Sequence, residues 1–341
     1  MRRFLAGILL VPLLLAAAAL LAWRDAQGTL AAPLPITEKF IYEIPVGAPL
    51  QQVIADLRQR GVVLDRRLGL YLRIYAEVKK LNLRAGEYEL TPGISAIELL
   101  TTFASGKTLL HELRIVEGWT FAQAMKVIAA DPDLAHSLEG KSPEQVMAQL
   151  GYTDTFAEGR LFPDTYRFPK GLSDITFLRR AAATMDAMLQ KEWDGRDADL
   201  PYASPADALI MASIVEKETG QASERPEVAG VFVNRLRSGM KLQTDPTIIY
   251  GLGPAFDGNL RKIDLETDGP YNTYTRAGLP PTPICLPGRA SLHAVLHPAQ
   301  TKALYFVSRG DGTHVFSETY DAHSAAVQKF QIAPHAAHGK K

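Results

Sequence analysis

The sequence lacks the features that several protein classes require. A single cysteine, Cys285, excludes an intramolecular disulfide and a multi-cysteine metal site. Thirty-seven basic residues balance thirty-seven acidic ones, so no excess of positive charge indicates a nucleic-acid partner. No Gly-rich phosphate loop is present. What remains is a globular chain of 341 residues, long enough for two domains, whose partner is neutral or recognised locally.

Two partial motifs lack their complements. Ser238 to Lys241 has the Ser-x-x-Lys spacing of penicillin-binding enzymes, but neither Ser-Asp-Asn nor Lys-Thr-Gly occurs. His293 and His297 have the i, i+4 spacing of half a zinc site, without the glutamate of a His-Glu-x-x-His motif. We interpret these histidines as packing or capping residues and predict no metal site.

The N-terminal part of the sequence contains a long uncharged run, FLAGILLVPLLLAAAALLAW, at residues 4–23. At about 1.5 Å per residue it extends about 30 Å, the thickness of the bilayer hydrocarbon, and it predicts a transmembrane helix. A cleaved signal peptide is the alternative, because Arg2 and Arg3 form a charged start and the alanines offer a cleavage site. The same arginines place residues 1–3 in the cytoplasm. Both interpretations place the remainder of the chain outside it.

Residues 24–37 form a linker rich in alanine and proline, after which a small unit recurs across residues 38–130. Each copy consists of a β run, a turn carrying Gly47, Gly93 or Gly118, and an amphipathic helix. Such units resemble LysM-type glycan-binding modules. The alternative is a generic α+β spacer. Residues 131–330 form a larger α+β domain, and residues 331–341 a flexible tail.

The stretch ALIMASIVEKETG, residues 208–220, predicts a strongly apolar helix that ends in two glutamates. Ser204 is the predicted N-cap, with which Asp207 closes a variant capping box. Pro205 is the first helical residue, and Gly220 is the stop after the last turn. The helix limits are therefore well defined by local signals.

The two glutamates lie on different faces of this helix. On a helical wheel Glu218 falls in the middle of an apolar stripe, and Glu216 falls on a less bulky face. Burial disfavours a carboxylate, so the pKa of Glu218 should rise, as a general acid requires. The alternative is that Glu218 is a last-turn residue paired with Lys217 or Arg225.

Two polar loops follow this helix. They carry amides, hydroxyls and aromatic rings, which recognise sugars by hydrogen bonding and by stacking on the pyranose face. The same residues are also typical of capping turns. The members are Gln243, Thr244, Asp245 and Thr247 in the first loop and Tyr271, Asn272 and Tyr274 in the second.

Several longer motifs carry a family resemblance. In order along the chain they are EGRLFPDTYRF, MASIVEKET, VFVNRLRSGMKLQTDPTIIYG, YNTYTRAGLPPTPI and HPAQTKALYFV. With the N-terminal run, and up to about Phe330, the sequence resembles the YceG-like family of membrane-anchored endolytic murein transglycosylases.

This resemblance implies a lyase that cleaves the MurNAc–GlcNAc bond of peptidoglycan and leaves 1,6-anhydro-MurNAc ends, trimming or terminating nascent strands. The catalytic acid is implied to be Glu218, the second glutamate of the EKE motif, and the reaction needs no cofactor or metal. The chain is placed in the bacterial cell membrane as a single-pass protein, with penicillin-binding synthases as further partners. For substrate binding we predict Asn234, Gln243, Asp245, Asn272, Tyr274 and Tyr166.

Two other functions remain open from the sequence. One is a non-catalytic peptidoglycan-binding scaffold of the cell-wall synthesis machinery. The other is a muramidase-type hydrolase, which needs a second carboxylate, for which Asp245 and Asp164 are the candidates. Asp164 and Tyr166 either line the same cleft as Glu218 or only support it.

Overall fold

The computed structural model describes residues 2–153 and 155–333, except the side chains of residues 2–12. The chain divides into two compact units: Met1–His111 with Arg167–Gly171, and Glu112–Tyr166 with Leu172–Lys341. Helices and strands are mixed in both units, which confirms the predicted α+β class. Of the predicted tail, residues 334–341 lie outside the described part.

The first unit is built on a two-stranded antiparallel sheet with helices packed on it. Phe40 pairs with Leu90 at one end of the sheet and Ile44 with Gly86 at the other. Its elements are α1 (Arg2–Ala31), β1 (Phe40–Ile44), α2 (Leu50–Gln59), α3 (Arg66–Val78), β2 (Gly86–Leu90) and α4 (Ala96–Ser105).

An aromatic cluster forms the centre of this unit. Tyr88 and Phe103 meet edge to face with ring centroids 4.8 Å apart, and Tyr42 stacks on Phe103 at 5.7 Å. The Tyr88 hydroxyl donates to the Arg84 carbonyl at 2.7 Å, so its polar end is satisfied inside the core. Burial of each ring contributes roughly 1.5–3 kcal/mol to stability. This unit therefore has a core of its own.

The predicted transmembrane segment, residues 4–23, lies within α1. The side chains of residues 4–12 are not among those that the structure describes. Among the helices that the described residues form, none has both the length and the apolar content needed to cross a membrane. The structure thus does not support that prediction. The helix also continues through Arg24 and Asp25 to Leu30, which is buried in the core of the first unit. The first part of the predicted linker is therefore helical.

The recurring strand, turn and helix pattern is present three times. Gly47, Gly93 and Gly118 all have positive φ angles, of 76°, 89° and 76°, which favour glycine because it has no Cβ. The first two copies lie in the first unit and most of the third in the second. A LysM-like role for the pattern stays a prediction.

The second unit is mainly helical, with short paired strands. Strand β3 pairs with β5, β4 with β6 in parallel, and β7 with β8 in an antiparallel hairpin. Strands β3 (Leu110–Arg114) and β5 (Thr165–Pro169) each have residues in both units. The elements of the second unit begin with α5 (Phe121–Ala130), β4 (Leu134–Ala135), α6 (Pro143–Leu150) and β6 (Leu172–Ser173). They continue with α7 (Asp174–Asp194), α8 (Pro205–Glu218), α9 (Arg225–Arg237), α10 (Asp245–Leu252), α11 (Lys262–Glu266), α12 (Arg289–Leu296), β7 (Tyr305–Ser308), β8 (His314–Ser317) and α13 (Tyr320–Val327).

Helix α8 forms the centre of this unit. All residues from Ala208 to Val215 are buried, as expected of a helix that is apolar almost all round and packed on several sides. Helices α7, α9, α10 and α12 contact it. Its start has the predicted capping box between Ser204 and Asp207, and its C-cap is Thr219. The last residue of α8, Glu218, therefore lies at the end of a rigid core element.

Candidate active site

A cavity of about 510 Å³ lies in the second unit, at the C-terminal end of α8. Such a volume falls within the range of small-molecule sites, roughly 300–1,000 Å³. Its walls come from α8 and α9, from the segment leading into α10, from the loop around residue 274, and from the hairpin and helix that follow. The lining residues are Glu218, Arg235, Gln243, Asp245, Tyr274, Tyr305, Phe306, Val307, Ser308, His314, Tyr320, His323, Val327 and Gln331.

Glu218 is the carboxyl of this cavity whose pKa is clearly raised. It is half-buried, and the hydroxyl of Thr244 donates to its Oε1. The pKa of Glu218 is raised to about 7, chiefly by burial and to a smaller extent by the negative charge of Asp245, against the hydrogen bond from Thr244, which lowers it. The carboxyl is therefore about half protonated at neutral pH, which suits an acid that must donate and then accept a proton.

Three buried threonines, Thr244, Thr247 and Thr273, are hydrogen-bonded to one another beside the cavity. The Thr244 backbone N–H donates to Thr273 Oγ1 at 3.0 Å, and the Thr247 hydroxyl donates to the Thr244 carbonyl at 2.8 Å. The Thr247 and Thr273 hydroxyls are also 3.0 Å apart. These bonds fix the backbone of Thr244, so its hydroxyl is directed at Glu218 by the fold.

The side chains of Arg235 and His314 line the same cavity. Arg235 is buried, and it donates to the carbonyls of Leu304 at 2.7 Å and Leu242 at 2.5 Å. The carboxylate of Glu224 accepts from the His314 backbone N–H at 3.0 Å and lies 2.7 Å from His314 Nδ1. Because an ionised carboxylate only accepts, Nδ1 carries the proton of that bond.

The effect of these two side chains on Glu218 is electrostatic. His314 and Arg235 both lower its pKa and so act against burial. They favour the carboxylate that remains once the proton has been transferred. The cavity therefore accommodates both protonation states of Glu218.

Three of the six predicted substrate residues line the cavity with Glu218. The Tyr274 hydroxyl donates to Asp245 Oδ1 at 2.6 Å, which joins the two polar loops. Gln243 is exposed and has a φ of 49°, a left-handed conformation that costs a residue with a side chain about 1 kcal/mol or more. The loop thus keeps Gln243 in an unfavourable conformation on the cavity wall.

The other three, Asn234, Asn272 and Tyr166, do not line this cavity. The Asn234 amide donates to the Thr301 carbonyl at 2.8 Å and the Ala303 carbonyl at 3.1 Å. The buried Asn272 amide donates to three carbonyls of the preceding loop, the shortest bond reaching Thr267 at 2.7 Å. Both amides satisfy backbone groups, so the prediction that they face the substrate is not met.

Tyr166 and Asp164 are also placed away from the cavity. The Tyr166 ring is buried against Phe177, with centroids 5.3 Å apart, and its hydroxyl donates to the Phe162 carbonyl at 2.7 Å. Asp164 accepts from the Thr165 backbone N–H at 2.7 Å. Of the two roles considered for Asp164 and Tyr166, the structure agrees with the supporting role and not with lining the cleft that contains Glu218.

The comparisons with known proteins agree with this arrangement. The model of the YceG-like family matches residues 42–329, which is most of the chain. The chain belongs to the YceG-like family.

Curated relatives of this YceG-like chain are similar over most of it. A Bacillus subtilis (strain 168) protein named endolytic murein transglycosylase is 31% identical over 313 residues, covering 84% of this chain and 83% of the relative. A Streptococcus pneumoniae (strain D39) protein of the same name is 29% identical over 306 residues, covering 78% of this chain. The match spans 53%, about half, of that pneumococcal relative.

A solved structure has the same fold. The crystal structure of a yceG-like protein from Listeria monocytogenes, at 2.6 Å, superposes with a TM-score of 0.53 and 29% identity. The alignment covers 85% of this chain and 99% of that one. The fold described above is therefore that of a YceG-like protein.

In this YceG-like chain the other glutamate of the EKE motif is a structural residue. Glu216 Oε2 accepts from the Gly288 backbone N–H at 2.9 Å and from the Ser291 hydroxyl at 2.7 Å, at the start of α12. Its Oε1 accepts from Arg225 at 3.4 Å. A carboxylate at a helix N-terminus stabilises that helix. Glu216 thus ties α12 to the helix that carries Glu218.

A second carboxyl of the YceG-like chain has a raised pKa without lining the cavity. Burial raises the pKa of Glu158 to about 7, against hydrogen bonds from the Phe121 N–H at 2.8 Å and the Tyr250 hydroxyl at 3.1 Å. Through Phe121 it caps the start of α5. A raised pKa alone therefore does not identify the acid, and the cavity distinguishes Glu218 from Glu158.

Reasoning from the sequence missed several residues of this YceG-like site. Arg235 stands within a quoted motif, but nothing marks it as a cavity residue. His314 lies on β8, outside every motif, and reaches the cavity only through tertiary folding. Thr244 was in the polar loop, but its bond to Glu218 depends on a turn that sequence spacing does not predict.

Proposed function

We propose that this protein is a lytic transglycosylase that cleaves peptidoglycan glycan strands between MurNAc and GlcNAc. The observation that carries the proposal is Glu218, a carboxyl with a pKa of about 7 on the wall of a ligand-sized cavity. The relatives named endolytic murein transglycosylase support the substrate class.

The first step is protonation of the leaving group. Glu218, in its acid form, donates its proton to the glycosidic oxygen as oxocarbenium character develops at C1 of the MurNAc residue. General acid catalysis of this kind contributes roughly 10²–10⁴-fold to the rate. The carboxylate that results is stabilised by Thr244, Arg235 and His314.

The second step closes an internal ring. The 6-hydroxyl of the same MurNAc residue attacks C1, and its proton returns to Glu218, which is then ready for the next cleavage. The C1–O bond to GlcNAc is broken and a 1,6-anhydro bond is formed, so no water is consumed. An internal nucleophile needs no second carboxylate and gains from proximity.

The polar wall supplies candidates for positioning the strand. Gln243 and Tyr274 line the cavity, and Tyr305 presents an aromatic ring beside Arg235, whose guanidinium lies 5.4 Å from the ring centroid. Rings of this kind stack on sugar faces, while amides and hydroxyls bond sugar hydroxyls. The strand is therefore proposed to lie across this wall.

A muramidase-type hydrolase is the second candidate, and Asp245 is the observation that favours it. Its carboxylate shares the cavity with Glu218, as a second catalytic carboxylate would. One of its oxygens already accepts the Tyr274 hydroxyl. We assign Asp245 to orienting the substrate and the loop, and the products distinguish the two reactions.

The cellular setting belongs to the proposal too. Peptidoglycan lies outside the cytoplasm, so the catalytic domain is proposed to act there, anchored through residues 4–23 and close to penicillin-binding synthases. The uncharged run and the family resemblance support the anchoring. Fractionation of cells should recover the full-length chain with membranes, and recovery of a trimmed soluble form would favour the signal peptide.

The catalytic proposal is tested with a pair of matched variants. Glu218→Gln keeps the shape of the side chain but cannot donate the acid proton, so release of soluble glycan from purified sacculi should fall at least about 100-fold. Glu216→Gln makes the same change two residues away and should retain cleavage per folded molecule. If the wild type releases nothing while binding sacculi, the scaffold function is favoured.

A further inference from the structure

Two histidines and two carboxylates meet where α7 and α12 end. His293 Nδ1 lies 2.8 Å from Glu192 Oε2, and His297 Nδ1 lies 2.9 Å from Asp197 Oδ1. The two imidazole rings are 4.4 Å apart. Ligand atoms of Glu192, His293 and His297 all lie within 4.8 Å of one another. We call these four residues the α7–α12 cluster.

The cluster is held in place by other bonds. The Asp197 backbone N–H donates to the Leu296 carbonyl at 3.0 Å, which ties the two chain segments together. Glu192 is buried, and Arg289 donates to its Oε1 at 3.3 Å, leaving Oε2 directed at His293. Outer bonds that orient a ligating carboxylate in this way are typical of metal sites.

The charges of the cluster leave room for a divalent cation. A neutral imidazole can donate from Nδ1 to its carboxylate, so the cluster holds the two carboxylates of Glu192 and Asp197 against the single guanidinium of Arg289. A doubly charged ion would offset the remaining negative charge. The partly exposed His293 and Asp197 leave a route for the ion to enter.

We infer that the α7–α12 cluster binds one zinc-type divalent cation, with Glu192, Asp197, His293 and His297 as its four ligands. Zinc bonds of about 2.0–2.2 Å place neighbouring ligand atoms roughly 3–3.5 Å apart, so the two pairs now at 2.8–2.9 Å would separate slightly. The ligand atoms of Glu192, His293 and His297, now within 4.8 Å of one another, would move closer together, and Asp197, outside that set, would turn toward the ion. Ligation through Nδ1 requires its proton to move to Nε2 or to solvent, so affinity falls as pH is lowered.

The site is structural in kind. Four protein ligands leave no open position for substrate, and the cluster is absent from the residues that line the Glu218 cavity. The ion would fasten the C-terminal end of α12, the helix whose start is held by Glu216. The inference differs from the interpretation drawn from spacing, because the further ligands come from the end of α7 and the residues after it, about a hundred residues earlier.

The test measures Zn²⁺ binding to the full chain by equilibrium dialysis near pH 7.5. We expect one ion per chain for the wild type. In His297→Gln and in Asp197→Asn the Zn²⁺ affinity should be lower by more than about 100-fold, which is more than the loss of a residue that only orients a ligand would cause. His136→Gln is the matched control, since His136 is exposed and lies outside the α7–α12 cluster, with its Nε2 at 2.9 Å from the Asp131 carbonyl. Zn²⁺ should also raise the Tm of the wild type and of His136→Gln, but not that of the two ligand variants.

Three results would overturn the inference: no Zn²⁺ bound by the wild type, unchanged affinity in both ligand variants, or equal loss in His136→Gln. Circular dichroism checks that each variant is folded. Asp197 is partly exposed, so Asp197→Asn should fold and can carry the Zn²⁺ binding test if His297→Gln does not fold. The Co²⁺-substituted wild type should have the visible spectrum of a tetrahedral site, and an octahedral spectrum would exclude four protein ligands.

Discussion

Removing the Thr244 hydroxyl should shift the pH at which cleavage is lost. Thr244 donates to Glu218 Oε1, and this bond lowers the pKa of Glu218 from the value that burial alone would set. A hydrogen bond to a charged group is worth roughly 1.5–3 kcal/mol, which corresponds to about one to two pH units. In Thr244→Val the pKa of Glu218 should therefore rise well above its present value of about 7.

The assay is the pH profile of kcat/KM on a soluble glycan substrate, which reports the ionisation of the free enzyme. The acid form of Glu218 is the active one, so wild-type activity should fall as pH rises through about 7. In Thr244→Val the fall should come about one pH unit or more higher, even if the maximum rate is lower because Glu218 is less well held.

Thr247→Val is the matched control for this prediction. It removes a buried hydroxyl that donates to the Thr244 carbonyl at 2.8 Å, and no bond joins it to Glu218. It should cost about 1 kcal/mol of stability, and because the Thr244 hydroxyl itself is kept it should shift the midpoint of the profile clearly less than Thr244→Val does. An unchanged or lower midpoint in Thr244→Val would refute the account of how the Glu218 pKa is set.

Three further outcomes are expected from variants of the same region. Glu216→Gln should lower the free energy of unfolding by about 2 kcal/mol in urea titrations, because an amide cannot replace a buried carboxylate that accepts from Gly288, Ser291 and Arg225. Folding raises the pKa of Glu218 from 4.5 to about 7. At pH 8 the ionised carboxyl therefore lowers the free energy of unfolding by about 3 kcal/mol. This cost is absent below pH 4.5 and grows as pH rises to 7, so Glu218→Gln should be more stable than wild type at pH 8 and lose that advantage toward pH 4. Asp245→Asn should slow cleavage, read by chromatography of released glycans, without changing the type of product; complete loss of turnover would instead favour the hydrolase.

Local signals in the sequence predicted the helix that carries Glu218 well. Ser204, Pro205 and Asp207 make a capping box and first turn whose geometry depends on neighbouring residues only, and the structure begins α8 at Pro205. The burial of Glu218, which raises its pKa, also follows from helical periodicity. Both features survive folding because they need no information about distant parts of the chain.

The substrate residues were only half predictable, for a reason that concerns loops. Asn234 and Asn272 have the amide chemistry of sugar recognition, but an amide equally satisfies backbone carbonyls that a bent loop leaves unpaired. The sequence cannot tell these uses apart. His314 was missed for the opposite reason, since it reaches the cavity that Glu218 lines only when the β7–β8 hairpin is folded into place.

The most direct test of the central proposal is the mass of the new glycan ends. Purified glycan strands are digested with the wild type and with Glu218→Gln, and the products are analysed by mass spectrometry. Internal attack by the 6-hydroxyl leaves MurNAc ends about 18 Da lighter than hydrolysis does, the mass of one water. We predict these anhydro ends from the wild type and none from the variant. Reducing MurNAc ends as the main product, or equal cleavage by Glu218→Gln, would contradict the proposed reaction.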